Sequence, residues 1–166
     1  MIQKKICMIG SFAVGKTSLV RRFVYSIYSD IYQTTLGVKV DKKVLRVDST
    51  DVELMLWDIY GEDDFQKMRW SYVRGSSGYL LVADGTRRAT LEKALALEQK
   101  AREEVGKIPF ILLINKSDLV QEWDLDAVLE SHFNAKKWTV LRSSAKTGEN
   151  VEEAFTQLAK KMLSQP

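Results

Sequence analysis

The sequence holds one cysteine and two prolines, and no apolar stretch approaches the roughly 18 to 20 residues that span a bilayer. A lone cysteine excludes an intramolecular disulfide. Its place in the apolar run Ile6-Cys7-Met8-Ile9 marks a small buried hydrophobe rather than a catalytic thiol. Met1 to Cys7 reads as a short strand with no cleavage signal, so a cytoplasmic protein is expected. Internal repeats, low-complexity tracts and linkers are missing too, so residues 1–166 are expected to form a single domain. With 45% hydrophobic residues, a chain of this length can bury a core. An excess of one charge is also lacking: 25 basic and 22 acidic residues are scattered, and only pairs such as Arg87-Arg88, Lys136-Lys137 and Lys160-Lys161 cluster. That is a solvated surface and not a nucleic-acid footprint.

What is present is an alternation of short apolar runs with longer helical segments, the pattern of an α/β fold around a mostly parallel sheet. Ile6 to Ile9, Val52 to Trp57, Tyr79 to Ala83 and Phe110 to Ile114 read as strands buried on both faces, with Trp138 to Leu141 as a fifth. Val38 to Val47 alternates apolar residues with lysines. It reads as an antiparallel edge strand paired with Val52 to Trp57 through a turn at Asp48-Ser49-Thr50-Asp51, with Lys39, Lys42, Lys43 and Arg46 guarding the edge against aggregation or, as the alternative, forming a partner or membrane-surface patch. Helices are expected at Thr17 to Val24, about Thr90 to Val105, Asp124 to His132 and Val151 to Leu163. Thr90 and Asn150 are placed as N-caps, the latter with Glu153 in a variant capping box. Trp57 is expected in the core, whereas Trp70, Trp123, Trp138 and His132 are assigned surface or packing roles.

Gly10-Ser11-Phe12-Ala13-Val14-Gly15-Lys16-Thr17 follows a strand and opens a helix, the context a phosphate-binding loop requires. Glycines at 10 and 15 let the backbone curl until several N–H groups face an anion, and the helix N-terminus adds partial positive charge. Lys16 adds a full charge, Ser18 continues the motif into the helix, and the Thr17 hydroxyl suits magnesium, a hard cation that shares phosphate oxygens and water. Asp58, at the end of the Val52 to Trp57 strand, faces the same crevice and can hold the metal through a water.

Asn115-Lys116-Ser117-Asp118 emerges after the buried strand Phe110 to Ile114, about one hundred residues beyond the phosphate loop. The Asp118 carboxylate can accept both N1–H and the exocyclic amine of guanine. Adenine would leave that charge unpaired, at a cost of about 1 to 3 kcal/mol or more. Asn115 can bond the base edge or tie this loop to the phosphate loop, and the Lys116 stem can cover the ring. Ser143-Ser144-Ala145-Lys146 follows the proposed fifth strand, and its backbone amides can reach the guanine oxygen.

Together these motifs resemble the small GTPases of the Ras superfamily over essentially the whole chain, and within them the Rab branch. The resemblance implies a P-loop NTPase fold of about six strands, one of them antiparallel, with helices on both faces. It further implies a GTP/GDP switch working with Mg2+. Thr35-Leu36-Gly37-Val38 resembles the first switch, where Thr35 closes over the metal and the terminal phosphate. Trp57-Asp58-Ile59-Tyr60-Gly61 resembles the second switch, Gly61 sensing the same phosphate, and Tyr28 occupies the place of an aromatic flanking the guanine. Tyr72-Val73-Arg74-Gly75-Ser76-Ser77-Gly78 is similar to the Rab pattern before the next strand. Carried over, the resemblance makes Lys16, Thr35, Gly61 and Glu62 the catalytic candidates, and Thr17, Thr35 and Asp58 the metal candidates. Gly10, Phe12, Ala13, Val14, Gly15, Lys16, Thr17, Ser18, Tyr28, Thr35, Gly61, Asn115, Lys116, Asp118, Ser144, Ala145 and Lys146 become nucleotide contacts. It implies a monomer that meets effector, exchange-factor and activator proteins through the two switches and can be recruited to a membrane by partners.

Three departures from the family pattern bear on rate. Phe12 and Tyr60 stand where small residues are usual, and Glu62 replaces the water-orienting glutamine. A slow GTPase is therefore expected, with a hydrolysis-deficient scaffold as the alternative. A P-loop kinase fits poorly, because no lid arginines or acceptor site are visible. The end, Leu163-Ser164-Gln165-Pro166, offers no cysteine for prenylation, so no intrinsic membrane anchor is expected.

Overall fold

The computed structural model describes residues 1–29, 37–59, 68–126, 131–133 and 135–165. Its elements in chain order are β1 (Ile2–Gly10), α1 (Lys16–Tyr25), β2 (Val38–Val47), β3 (Thr50–Ile59), β4 (Gly78–Asp84), α2 (Arg88–Val105), β5 (Phe110–Asn115), β6 (Val140–Arg142) and α3 (Val151–Leu163). One six-stranded sheet results, ordered β2-β3-β1-β4-β5-β6. Only β2 runs antiparallel to its neighbour, as the edge-strand reading expects. The chain leaves β1 for β3 on one side and later reaches β4 on the other. This reversal of strand order places a crevice at the carboxyl end of β1, where ligands of open α/β sheets bind.

Because successive strand residues point to opposite faces, the sheet's apolar side chains sort into two cores. Ile6, Met8, Leu80, Val82, Ile111 and Leu113 pack with Leu19 and Phe23 of α1 and with Phe155 and Leu158 of α3. Cys7, Ile9, Leu81, Ala83, Leu112 and Ile114 pack on the other side with Leu91, Ala94, Leu97 and Ala101 of α2. Cys7 is buried, as expected of a small hydrophobe.

Several local expectations are corrected. The β2–β3 turn is only Asp48-Ser49, since Val47 already pairs with Thr50. Both turn residues have positive φ, 46° and 72°, the backbone of a type I′ hairpin that matches strand twist. The Val52 to Trp57 strand is not buried on both faces: β3 alternates buried and half-buried residues up to Asp58, and its second face carries the acidic Asp51 and Glu53. Trp57 accordingly lies half-buried, with the Lys5 ammonium 3.7 Å from its ring. The fifth strand begins later, at Val140, because Trp138 instead stacks on Phe133 and meets Phe110 edge-on.

Arg87, not Thr90, caps α2. The Thr90 hydroxyl lies inside the first turn, donating to the Arg87 carbonyl and accepting from the Asp84 amide. Asn150 does precede α3, but at φ 54° and without a side-chain cap bond. Its amide donates to the Arg142 carbonyl, and Glu153 accepts from Gln157, so no capping box forms. Of the helix expected at Asp124 to His132, residues 124–126 are not helical and 131–133 are, while 127–130 lie outside the described residues.

Among the described residues, the tightest ring stacking joins the helices on one face. Phe155 is fully buried and stacks on Phe23 with centroids 4.0 Å apart. Phe155→Ala is expected to destabilise the fold by about 3 to 5 kcal/mol, measured as a lower midpoint of denaturant unfolding. A loss under about 1 kcal/mol would mean that α3 contributes little to the core.

Candidate functional site

At the end of β1 the backbone of Gly10 passes so close to Val82 that a Cβ would strike the Val82 carbonyl oxygen. Gly15, at φ 103°, would likewise drive a Cβ into the Asn115 amide. The loop between them can therefore carry no side chain at either end. Ala13 is left-handed without being glycine, at φ 62°, a conformation that its surroundings must hold in place.

Three side chains from two other segments hold it. The Arg87 guanidinium donates through Nη2 to the carbonyls of Phe12 at 3.1 Å and Ala13 at 2.9 Å. Lys116 Nζ also donates to the Ala13 carbonyl, at 3.2 Å. Asn115 Nδ2 donates to the Val14 carbonyl at 3.0 Å, while its Oδ1 accepts from the Ser143 hydroxyl. In a trans peptide the carbonyl and the following N–H point in opposite directions. Tying back the carbonyls of residues 12, 13 and 14 therefore turns the amides of Ala13, Val14 and Gly15 away from these donors, as an anion-binding loop requires. Of the two uses considered for Asn115, the tie to the phosphate loop is present.

Arg87 and Lys116 share an anchor. Asp84, at the end of β4 and 1% exposed, accepts from Arg87 Nε at 3.0 Å and Lys116 Nζ at 2.9 Å. It also accepts from the amide and hydroxyl of Thr86. Burial alone would raise the Asp84 carboxyl, but the bonds from Thr86, Lys116 and Arg87 together hold it below the usual carboxylate value.

Lys16 is buried and donates to the carbonyls of Gly10 and Ser11 at 3.2 and 3.1 Å. Burial pulls its ammonium down to about 8, against the opposing pull of Asp58. Next to it, the Thr17 hydroxyl donates to Asp58 Oδ2 at 2.6 Å, joining the start of α1 to the end of β3. Among the described residues no group of three or more His, Cys, Asp or Glu is placed to hold a metal by itself. A hydroxyl and one carboxylate at the mouth of a phosphate loop form an all-oxygen set, which fits Mg2+ sharing its shell with phosphate and water.

A pocket of about 200 Å³ opens beside this loop, lined by Gly15, Ser18, Tyr28, Asn115, Lys116, Asp118, Leu119, Ala145 and Lys146. The structure thus gathers residues of four separate segments that the motifs single out. Ser144 does not line it. The Ser144 amide is committed to the Glu149 carbonyl at 3.1 Å, and its hydroxyl donates to Asp118 Oδ1 at 2.7 Å. Among the amides of Ser143 to Lys146 expected to reach the base, that of Ser144 is thus already paired, and its side chain orients Asp118. Val14 is fully buried and enters the site through its backbone, and Phe12, within the loop, is half-buried. Thr35, Tyr60, Gly61 and Glu62 lie outside the described residues.

Asp84, Arg87 and Leu119 escape a motif reading. The first two sit in Asp84-Gly85-Thr86-Arg87, which carries no metal or phosphate signature of its own. The available hint is an aspartate at the carboxyl end of a buried strand, the same hint that marks Asp58.

The model of the Ras family matches residues 5–164. The Ras-related protein Rab-4A of Homo sapiens is 36% identical over 162 residues, covering 96% of this chain and 74% of that protein. Rab-4A of Bos taurus gives the same values. With the loop, the metal-suited oxygen pair and the pocket in the order that such a match requires, the chain belongs to the Ras family, as a Rab-like small GTPase whose nucleotides are GTP and GDP and whose cofactor is Mg2+.

Proposed function

We propose that the chain is a guanine-specific switch that hydrolyses GTP slowly on its own and signals through the segments around Thr35 and Gly61. One observation carries this reading: a single pocket joins Gly15 of the phosphate loop to Lys116, Asp118, Ala145 and Lys146, with Tyr28 at its side. In it Asp118, oriented by Ser144, pairs with N1–H and the exocyclic amine of guanine. Lys116 and Tyr28 flank the ring, and Ala145 and Lys146 meet the base from the next loop. The amides of the phosphate loop and Lys16 hold the phosphates.

Thr17 and Asp58 would hold the magnesium, Thr17 directly and Asp58 through a water, with Thr35 as the ligand that depends on the terminal phosphate. Held there, magnesium would supply charge neutralisation for the phosphate oxygens. Thr35 and Gly61 order their segments when that phosphate is present and release them after hydrolysis, so that effectors, exchange factors and activators distinguish the two states. The protein acts as a monomer of one domain, and partners bring it to a membrane surface.

Phe12, Tyr60 and Glu62 set the rate. A benzyl group at 12 obstructs the side of the phosphate loop where an activator's arginine would enter, and Glu62 orients the attacking water in place of glutamine. The alternative, a hydrolysis-deficient scaffold, draws on the same three residues.

Asp118→Asn should shift preference from guanine toward xanthine nucleotides, because an amide donor pairs with the extra carbonyl at position 2. Competition titration checks it, and an unchanged preference removes the base-selecting role from Asp118. Thr17→Asn should weaken Mg2+-dependent binding of both nucleotides, whereas Thr35→Ala should spare GDP and weaken GTP. Equal losses for GDP and GTP in Thr35→Ala would deny that residue a switch role. In single-turnover phosphate release at saturating Mg2+, Glu62→Ala should slow the intrinsic rate, and Phe12→Gly should admit an arginine-supplying activator worth roughly 10³ to 10⁵ in rate. No phosphate release by the parent favours the scaffold. Strong stimulation of the parent by an activator whose arginine is essential ends the obstruction idea.

A further inference from the structure

Among the described residues outside the base loop, the phosphate loop and the switches, Arg87 is bonded to the loop that holds the phosphates, and Asp84 anchors it. We propose that Asp84 and Arg87 are positioning residues for nucleotide binding, fixing the phosphate loop from behind through contacts shared with Lys116. The proposal rests on the nucleotide-binding reading above and adds two residues to it.

The geometry runs in a closed circuit. Arg87 spans Asp84 through Nε and the Phe12 and Ala13 carbonyls through Nη2, so one planar group contacts the end of β4 and two successive peptides of the loop. Lys116, beside Asn115 at the end of β5, spans the same Asp84 and the same Ala13 carbonyl. Two cations thus converge on one carbonyl and one carboxylate. The peptide they hold belongs to Ala13, whose positive φ is unfavourable for a side-chain-bearing residue. Without the outward pull on its carbonyl, the loop is free to relax toward negative φ, which would turn the Val14 amide from the phosphate. Arg87 suits the task better than lysine, since its fork serves an acid and two carbonyls at fixed angles, whereas an ammonium is a point charge. Asp84 keeps both cations in place without touching the loop. Arg87 is about half exposed, so its replacement leaves the hydrophobic cores intact.

The test is release of a fluorescent GDP from the full chain in saturating Mg2+, with preference for GDP over inosine diphosphate measured in parallel. Arg87→Ala should speed release about tenfold, the scale set by losing charge-assisted bonds, and leave base preference unchanged because the Asp118 pocket is untouched. Arg87→Lys should recover part of that loss and no more. Asp84→Asn should also speed release, and Arg87→Ala combined with it should fall short of the product of the two effects, as expected for residues acting through one contact set. Release from Arg87→Ala within twofold of the parent overturns the proposal. So does a matching fall in base preference, which would mark general loosening, or a fully multiplicative double variant. A parent that does not retain GDP overturns the nucleotide reading itself and this proposal with it.

Discussion

A peptide that turns its amide toward an anion turns a neighbouring carbonyl away from it, and that carbonyl needs a donor. The phosphate loop depends on this constraint, and much of the surrounding structure answers it. Asn115 and Lys116 are held at the end of β5, two strands from β1 in the sheet, and Arg87 at the cap of α2. All three reach the carbonyls of residues 12 to 14. The parallel register that brings Asp84 level with Asn115 and Val82 level with Gly10 is what puts these donors within range. The base loop therefore has two tasks, facing the pocket with Asp118 while bracing the loop with Asn115 and Lys116.

Most of the strands were legible because each is a short run of branched aliphatics bounded by Gly, Asp, Pro or Asn. β2 was read to its ends, because its lysines alternate with valines at an exposed edge. The misreadings have local causes. Trp138 resembles a strand residue by composition, but its ring is claimed by Phe133 and Phe110 before the ladder begins. Trp57 belongs to a buried-looking run, yet it shares its face of β3 with the acidic Asp51 and Glu53 and is only half-buried, tilted against Tyr72. Thr90 has the chemistry of a cap and instead braces the end of β4, because the first turn of α2 begins at Arg88.

The site was legible wherever a residue type has a narrow chemical use at a fixed spacing, as in Gly15-Lys16-Thr17 or Asp118. It was opaque wherever a residue works through another. Ser144 illustrates the difference: its motif points to an amide facing the base, whereas the fold spends that amide on Glu149 and uses the hydroxyl to orient Asp118. Asp84 and Arg87 are opaque for the same reason, since neither touches the pocket.

The antiparallel hairpin adds a constraint on switching that no single motif contains. Val38 pairs with Ile59, and Lys39 with Asp58. The strand entered after Thr35 and the strand that leads to Gly61 are therefore joined at the same end of one ladder. Asp58 is also bonded to Thr17, so the metal-suited pair, the end of β3 and the start of β2 form one connected unit. On the switch roles proposed for Thr35 and Gly61, a change at either position would act on opposite strands of a single hydrogen-bonded end. Neither strand end can shift independently without breaking ladder bonds, and this favours two segments that respond together over two separate sensors.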